Sequence, residues 1–229
     1  MTQSLTIGFL LFPRLTQLDF TGPFEVLSRL PGAAVKMLWK HAGPVRSDTG
    51  LTMLADTALA DCPQLDLLCV PGGPGVAPLM EDEEVLGFLR AQAPGTRWVT
   101  SVCTGALVLG AAGLLRGKRA TTHWASHDFL AALGAVPVRA RVVRDGTLVT
   151  GGGVTAGIDF ALSLVAEIAG PEAAQAIQLQ IEYAPAPPFQ AGDPASAPAA
   201  VLASAQARGA GMRAEREALV ARVAARLAA

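Results

Sequence analysis

A strand that runs straight into a helix is predicted for residues 97–112, which read RWVTSVCTGALVLGAA. The first part, Arg97 to Val102, is rich in Val, Thr and Trp, which favour β-strands. The second part, Ala106 to Ala112, has the composition of a small-residue helix, and Gly105 permits a tight turn between the two. Cys103 lies at the junction, on the edge of the sheet where open α/β folds bind ligands. The pattern therefore predicts a cysteine nucleophile elbow.

Similar strand and helix units lie on both sides of this junction. Their repetition favours an α/β fold with a mostly parallel sheet covered by helices. The predicted strands are Leu5 to Leu11, Val35 to Trp39 and Leu65 to Val70; the predicted helices are Phe24 to Leu30, opened by Gly22-Pro23, then Asp82 to Ala93 and Thr155 to Ala169. Two β-hairpins are predicted as well, Pro44 to Ala55 around Asp48-Thr49-Gly50 and Val138 to Thr150 around Asp145-Gly146.

The 229 residues suit one domain, which we assign to residues 1–229. Its last part, about 184–229, differs in composition. Residues 184–199 are rich in Pro, Ala and Gly and predict an irregular arm, and apolar residues at helical spacing then predict a C-terminal helix. This helix packs either on its own domain or across a dimer partner; both interpretations are open. Its arginines, Arg213, Arg216, Arg222 and Arg226, are expected to be solvated.

Composition and charge exclude several classes of protein. Hydrophobic residues make up 51% of the chain and charged residues 16%, which excludes disorder of the whole chain. No apolar run is long enough for a membrane span, and Ile7 to Phe12 is too short for the core of a signal peptide, so we expect a cytoplasmic protein. A net charge of −1 makes nucleic acid or an anionic membrane an unexpected partner. Three cysteines without C-x-x-C spacing predict neither a disulfide scaffold nor a metal site.

Cys103 is the leading candidate for a chemical role. The free N–H groups and the dipole of the following helix favour the thiolate, which predicts a pKa below about 8.5 and a nucleophile near neutral pH. The alternative is a buried, inert cysteine. We favour that interpretation for Cys69, which lies inside an apolar strand, and for Cys62, which precedes Pro63 in a loop.

Two further side chains are candidates for moving protons. Asp19 follows the first predicted strand, so we expect it at the same sheet edge as Cys103. A charge that interacts with a helix N-terminus explains its position equally well, and both interpretations are open. His123 follows another short strand and is a candidate pocket residue, whereas His41 and His127 are expected to be structural or surface groups.

Four motifs together resemble the ThiJ/PfpI superfamily, over roughly Leu5 to Tyr183. They are PGG at 71–73, VCTG at 102–105, ATTHW at 120–124 and GGGVTAGID at 151–159. The resemblance implies a flavodoxin-like three-layer sandwich, a homodimer, no cofactor, a nucleophile at Cys103 and an acid at Asp19 beside it. Peptidases of this superfamily carry histidine directly after the cysteine, where this chain has Thr104, so peptidase activity is not expected.

Within the superfamily, three further motifs are most similar to the isocyanide hydratases: IGFLLFP at 7–13, LDFTGP at 18–23 and YAPAPPF at 183–189. This resemblance implies hydration of an isocyanide to an N-substituted formamide through a thioimidate on Cys103, with Asp19 as general acid and then base. The remaining candidates for orienting the substrate or stabilising charge are Thr104, Val154, His123 and the backbone of Gly72, Gly73 and Gly152.

Three other interpretations remain open. A glyoxalase-like or amidase-like enzyme would use the same Cys103 with assistance from His123. A redox or stress sensor would instead have Cys103 oxidised to the sulfinic acid. A ligand-sensing module would need a DNA-binding partner on another chain, because one C-terminal helix is too little for a helix-turn-helix reader.

Overall fold

The computed structural model describes residues 5–228; the two ends of the assigned range, residues 1–4 and 229, lie outside it. A seven-stranded sheet forms its centre, and two groups of helices pack on the sheet, as the sequence predicts. The strands are β1 (Leu5–Leu10), β2 (Ala33–Trp39), β3 (Gly43–Arg46), β4 (Thr52–Ala55), β5 (Thr57–Ala58), β6 (Leu67–Val70), β7 (Trp98–Val102), β8 (Arg119–Ala120), β9 (Val136–Pro137), β10 (Val142–Asp145) and β11 (Leu148–Gly151). The helices are α1 (Gln17–Leu27), α2 (Val76–Leu79), α3 (Glu83–Gln92), α4 (Gly105–Ala111), α5 (Phe129–Ala132), α6 (Ala156–Ala169), α7 (Pro171–Gln180) and α8 (Ala199–Ala228).

The strand order of the central sheet is β10-β11-β7-β6-β1-β2-β5, and every neighbouring pair is parallel except β10 and β11. β6 and β7 are buried along their whole length, which explains their continuous runs of apolar and β-branched residues. In the register, Val70 lies opposite Ser101 and Val102 opposite Gly151. The segments that follow β1, β6, β7 and β11 therefore meet at one edge of the sheet.

The first helix differs from the prediction. It begins at Gln17, before Gly22-Pro23, so Pro23 lies inside α1 and Asp19 lies in its first turn rather than in a loop. A proline within a helix removes one backbone hydrogen bond. Here its ring packs closely on α6, because a Cβ at Gly157 would lie only 2.8 Å from Pro23 Cδ. The close approach of α1 and α6 offsets the break in the helix ladder.

Both predicted hairpins are present. β3 and β4 pair antiparallel as a separate two-stranded sheet, and β10 and β11 pair antiparallel at one end of the central sheet. The second hairpin begins at Val142 rather than Val138, and Gly146 in its turn has a φ of 63°. That left-handed conformation is the reason for an Asp-Gly turn at this position.

The end of the chain consists of the predicted irregular arm and then α8, which packs on α4, α5 and the 3-10 turn Trp124–Ser126 of its own chain. The prediction that its arginines are solvated is wrong for Arg216, which is buried, whereas Arg213, Arg222 and Arg226 keep much of their side chains in solvent. These three arginines form ion pairs with the domain, Arg213 with Asp128, Arg222 with Glu81 and Arg226 with Glu83, and Arg216 is only 7% exposed. Across residues 5–228, no helix combines the length and apolarity needed to cross a membrane.

Candidate active site

The predicted junction at Cys103 is confirmed, and its backbone is strained. Cys103 has a φ of 54°, in the left-handed region that residues other than glycine rarely adopt. Its N–H donates to the carbonyl of Gly151 at 3.0 Å, and its carbonyl accepts from Thr122 Oγ1 at 2.7 Å. The next turn requires Gly105, because a Cβ there would overlap the carbonyl oxygen of Val70. Contacts on both sides thus fix the thiol at the sheet edge.

Asp19 reaches the same place from α1 and is completely buried. Its Oδ2 accepts the N–H of Gly72 at 2.8 Å, and its carboxyl group lies close enough to the Cys103 thiol for the two groups to shift each other's pKa. Oδ1 is buried and has no hydrogen-bond partner in the described part of the chain. Only glycine fits at 72, since a Cβ would lie 2.5 Å from Thr104 N and 2.8 Å from Asp19 Oδ2. The strands therefore bring a buried carboxyl group and a thiol close together.

Burial dominates the proton affinities of this pair. It raises the pKa of Asp19 to about 7, although the Gly72 N–H and the Cys103 thiol act in the opposite direction. Burial, followed by the negative charge of Asp19, also raises the pKa of the Cys103 thiol. Hydrogen bonds from Thr104 lower this pKa and offset the rise only in part. The prediction of a lowered cysteine pKa is therefore wrong, because the thiol is desolvated and faces the Asp19 carboxyl group.

The backbone donors of the predicted glycines already have partners within the chain. Gly72 donates to Asp19, Gly73 donates to Thr104 Oγ1 at 3.0 Å, and Gly152 donates to the carbonyl of Arg141 at 2.9 Å. Gly72 and Gly73 thus hold the side chains that flank Cys103. Gly152 does not line the cavity beside Cys103, so the structure does not bring its amide to the site.

Cys103 opens onto a cavity of about 760 Å³. Thr104, Gly73, His123 and Val154 line it together with Cys103, as the sequence analysis expected of pocket residues. Asp19 lies behind the thiol and has no exposed surface. Within residues 5–228, no three side chains of His, Cys, Asp or Glu are grouped so that they could hold a metal ion.

The histidines lie in three different environments. His123 lines the cavity, and its Nδ1 accepts the N–H of Ala125 at 3.3 Å. Burial, and next the charge of Arg216, lower the pKa of His123, which favours the neutral imidazole. Within the described chain, no hydrogen bond joins His123 to Cys103. His41 is exposed and His127 is buried.

Sequence analysis missed one wall of the cavity, which α8 provides. Leu202, Gly209, Met212 and Arg216 line it on this side. Arg216 precedes the buried Leu219 by three residues, so helical spacing places it on the inward face of α8. That spacing is the signal by which the residue could have been found.

Comparisons with known proteins agree with this architecture. The DJ-1/PfpI family profile matches residues 6–167. An isonitrile hydratase from Pseudomonas putida is 62% identical over 207 residues, which cover 90% of this chain and 91% of that protein.

Solved structures are similar as well. A ThiJ/PfpI family protein from Pseudomonas syringae superposes with a TM-score of 0.93 at 41% identity, over 96% of this chain and 91% of that one. DJ-1beta of Drosophila melanogaster superposes with a TM-score of 0.72 at 27% identity, over 79% and 98% of the two chains. The chain belongs to the DJ-1/PfpI family.

Proposed function

We propose that this protein hydrates isocyanides, R–N≡C, to N-substituted formamides, with Cys103 as nucleophile and Asp19 as the group that moves protons. The observation that carries the proposal is the position of the buried Asp19 carboxyl group beside the Cys103 thiol, which itself opens onto a large cavity. The identity of 62% to a protein named isonitrile hydratase supports the substrate class.

In the first step, the sulfur of Cys103 attacks the terminal carbon of the isocyanide while Asp19 takes the thiol proton. Asp19 then delivers this proton to the same carbon, which gives the thioimidate R–N=CH–S–Cys103. The raised pKa values suit this sequence, because the thiol keeps its proton until attack and an Asp19 with a pKa of about 7 both accepts and releases one near neutral pH.

In the second step, water adds to the thioimidate carbon. Asp19 takes a proton from the water and passes it to the nitrogen, which gives the tetrahedral species R–NH–CH(OH)–S–Cys103. The C–S bond then breaks, the hydroxyl proton moves by way of Asp19 to the sulfur, and R–NH–CHO leaves. The sum is one isocyanide plus one water, with no change of oxidation state. Thr104 and Val154, which line the same cavity as the thiol, orient the substituent R.

Turnover of an aryl isocyanide tests the proposal, with formamide formation followed by nuclear magnetic resonance. The wild type should convert it and Cys103→Ala should not. Cys62→Ala is the matched control, since Cys62 is a half-buried thiol that does not line the cavity, and it should keep wild-type turnover. A rapidly quenched sample should gain the mass of one intact isocyanide on Cys103. A folded wild type without turnover would contradict the proposal.

The observations favour no second function. A glyoxalase-like or amidase-like reaction assisted by His123 lacks a hydrogen bond between His123 and Cys103 within the described chain. A peroxide sensor needs a reactive thiolate, which the raised pKa of Cys103 opposes. The homodimer and the cytoplasmic location stay predictions.

A further inference from the structure

Arg216 is a buried cation on the cavity wall. It is 7% exposed, lines the same cavity as Cys103, and lies on α8, beyond the segment that the family profile matches. Its Nη1 donates to Ser126 Oγ at 2.9 Å, and its Nη2 donates to the thioether sulfur of Met212 at 3.5 Å, a weak acceptor. Nε is buried and has no hydrogen-bond partner in the described chain.

The charges around Arg216 leave it without a counter-ion. In the described chain, no carboxylate lies within 4 Å of its guanidinium group. Two other arginines line the same cavity: Arg213 is paired with Asp128, and Arg139 is exposed. Two described carboxylates line the cavity, Asp48 and Asp128. Asp128 is the partner of Arg213, and Asp48 accepts a hydrogen bond from Thr16 Oγ1 at 3.0 Å. The wall therefore carries an excess of positive charge.

A guanidinium group held in a protein interior with unused donors is unfavourable unless an anion completes it. Its planar fork matches a carboxylate, which accepts two parallel N–H bonds. We propose that Arg216 binds a carboxylate on the substituent of the isocyanide, so that the preferred substrates are isocyano acids. This inference rests on the proposed function, because the isocyano carbon must lie at Cys103 while the carboxylate reaches the wall formed by α8.

Matched pairs of isocyano acids and their methyl esters test the inference. Isocyanoacetate, 3-isocyanopropanoate and 4-isocyanobutanoate vary the spacing between the two ends. The readout is the ratio of kcat/KM for the acid to that for its ester. The wild type should prefer the acid in at least one pair, and Arg216→Gln should lower that ratio by about 30- to 100-fold, the effect of a hydrogen bond to a charged group.

Two variants separate charge from general disruption. Arg216→Lys keeps the charge and should retain part of the preference, whereas Arg222→Gln, on the exposed side of the same helix and outside the cavity wall, should leave the ratio at its wild-type value. A wild type that shows no preference for an acid at any spacing overturns the inference, even if Arg216→Gln fails to fold. Equal ratios in wild type and Arg216→Gln overturn it as well.

Other outcomes distinguish this inference from the proposed function. Hydration of esters without preference for acids refutes the role of Arg216 and leaves the hydratase in place. If no isocyanide is hydrated, the proposed function fails, and calorimetric titration with N-formylglycine then tests Arg216 alone: binding to wild type but not to Arg216→Gln supports a carboxylate site. Acetate could instead inhibit the hydration of esters by the wild type and not by Arg216→Gln, while the wild type shows no preference for isocyano acids. That result assigns the site to a free anion and overturns the inference.

Discussion

At the scale of single residues, the proposed transfer of a proton from Cys103 to Asp19 determines the expected pH dependence. Below the pKa of about 7, Asp19 is protonated and cannot accept the thiol proton; above it, the carboxylate can. We therefore expect kcat/KM for isocyanide hydration to rise with pH and to level off above about 7. Asp19→Asn should lose this rise, with turnover lower by about 10²- to 10⁴-fold, the usual contribution of a general acid or base. An unchanged pH profile in Asp19→Asn would contradict the assigned role.

The same residue should make the folded protein less stable above neutral pH. The pKa of Asp19 is 3.8 as a model carboxyl group and about 7 when folded. Because the folded state binds this proton more tightly, the stability falls as pH rises from about 4 to 7, and the loss is complete above 7. Asp19→Asn removes the loss, so at pH 8 we expect it to raise the free energy of unfolding by up to about 4 kcal/mol.

Urea denaturation at pH 8 and pH 4.5 measures this difference. The stabilisation of Asp19→Asn should be largest at pH 8 and much smaller at pH 4.5, where the wild-type carboxyl group is protonated when folded. A variant that is less stable than wild type at pH 8 would show that the ionised carboxylate is stabilised rather than strained.

Sequence alone located both residues of this pair but not their contact. Asp19 and Cys103 are far apart in the chain, and only the parallel register of β1, β6 and β7 brings them together. Asp19 is also in the first turn of α1, so it lies both at the sheet edge and near a helix N-terminus, and its role as the group that moves protons stays a prediction. The direction of the cysteine pKa could not be predicted, because desolvation depends on neighbours that packing supplies.

At the scale of elements, the contact between the start of α4 and the end of β6 should depend on Gly105. A methyl group there would overlap the carbonyl of Val70 and lie 2.7 Å from that of Pro71, and backbone atoms yield only by a shift of the elbow. We expect Gly105→Ala to cost about 1–3 kcal/mol of stability and to lower turnover, because Cys103 is two residues away.

Gly87→Ala is the matched control for this substitution. Gly87 also lies in a helix, α3, but a Cβ there meets no atom within 4 Å. Replacing it should stabilise the protein by about 0.5–1 kcal/mol through helix propensity and leave turnover unchanged. Similar melting curves and activities for the two variants would show that the close packing at Gly105 is unimportant.

The C-terminal helix shows how far an element can be predicted from its own sequence. The spacing of Leu219, Val220 and Val223 gives both the helix and its buried face, which the structure confirms. What that face meets depends on α4, α5 and the turn at 124–126, which are distant in the chain. The amphipathic pattern therefore predicted burial but not a role in the cavity.

At the scale of the whole molecule, the fold was more predictable than the site. The alternation of strands and helices implies parallel crossovers, and these lead to the observed sheet. The sequence predicts a start of α1 that is too late in the chain, because Pro23 indicates the opening of a helix. A proline inside α1 is accommodated by its close packing against Gly157 of α6, which the local sequence does not show. The cavity combines loops of the sheet edge with α8, so its shape depends on long-range packing.

The two halves of α8 should differ in local stability. Residues 199–211 are mostly exposed and include Gly209 and Gly211, which weaken a helix, whereas Leu219, Val220 and Val223 are buried. Because local opening is easier where few apolar contacts must break, amide hydrogens of 199–211 should exchange faster than those of 216–227.

Hydrogen exchange followed by mass spectrometry measures this difference in the full chain. Residues 216–227 should be protected about as strongly as β6 and β7 if the helix and the sheet unfold as one domain. Addition of a formamide product should slow exchange in 199–211, because Leu202 and Gly209 line the cavity. Fast, uniform exchange along all of α8 would instead mean that the helix opens independently of the sheet, and the assignment of residues 1–229 to one domain would then be wrong.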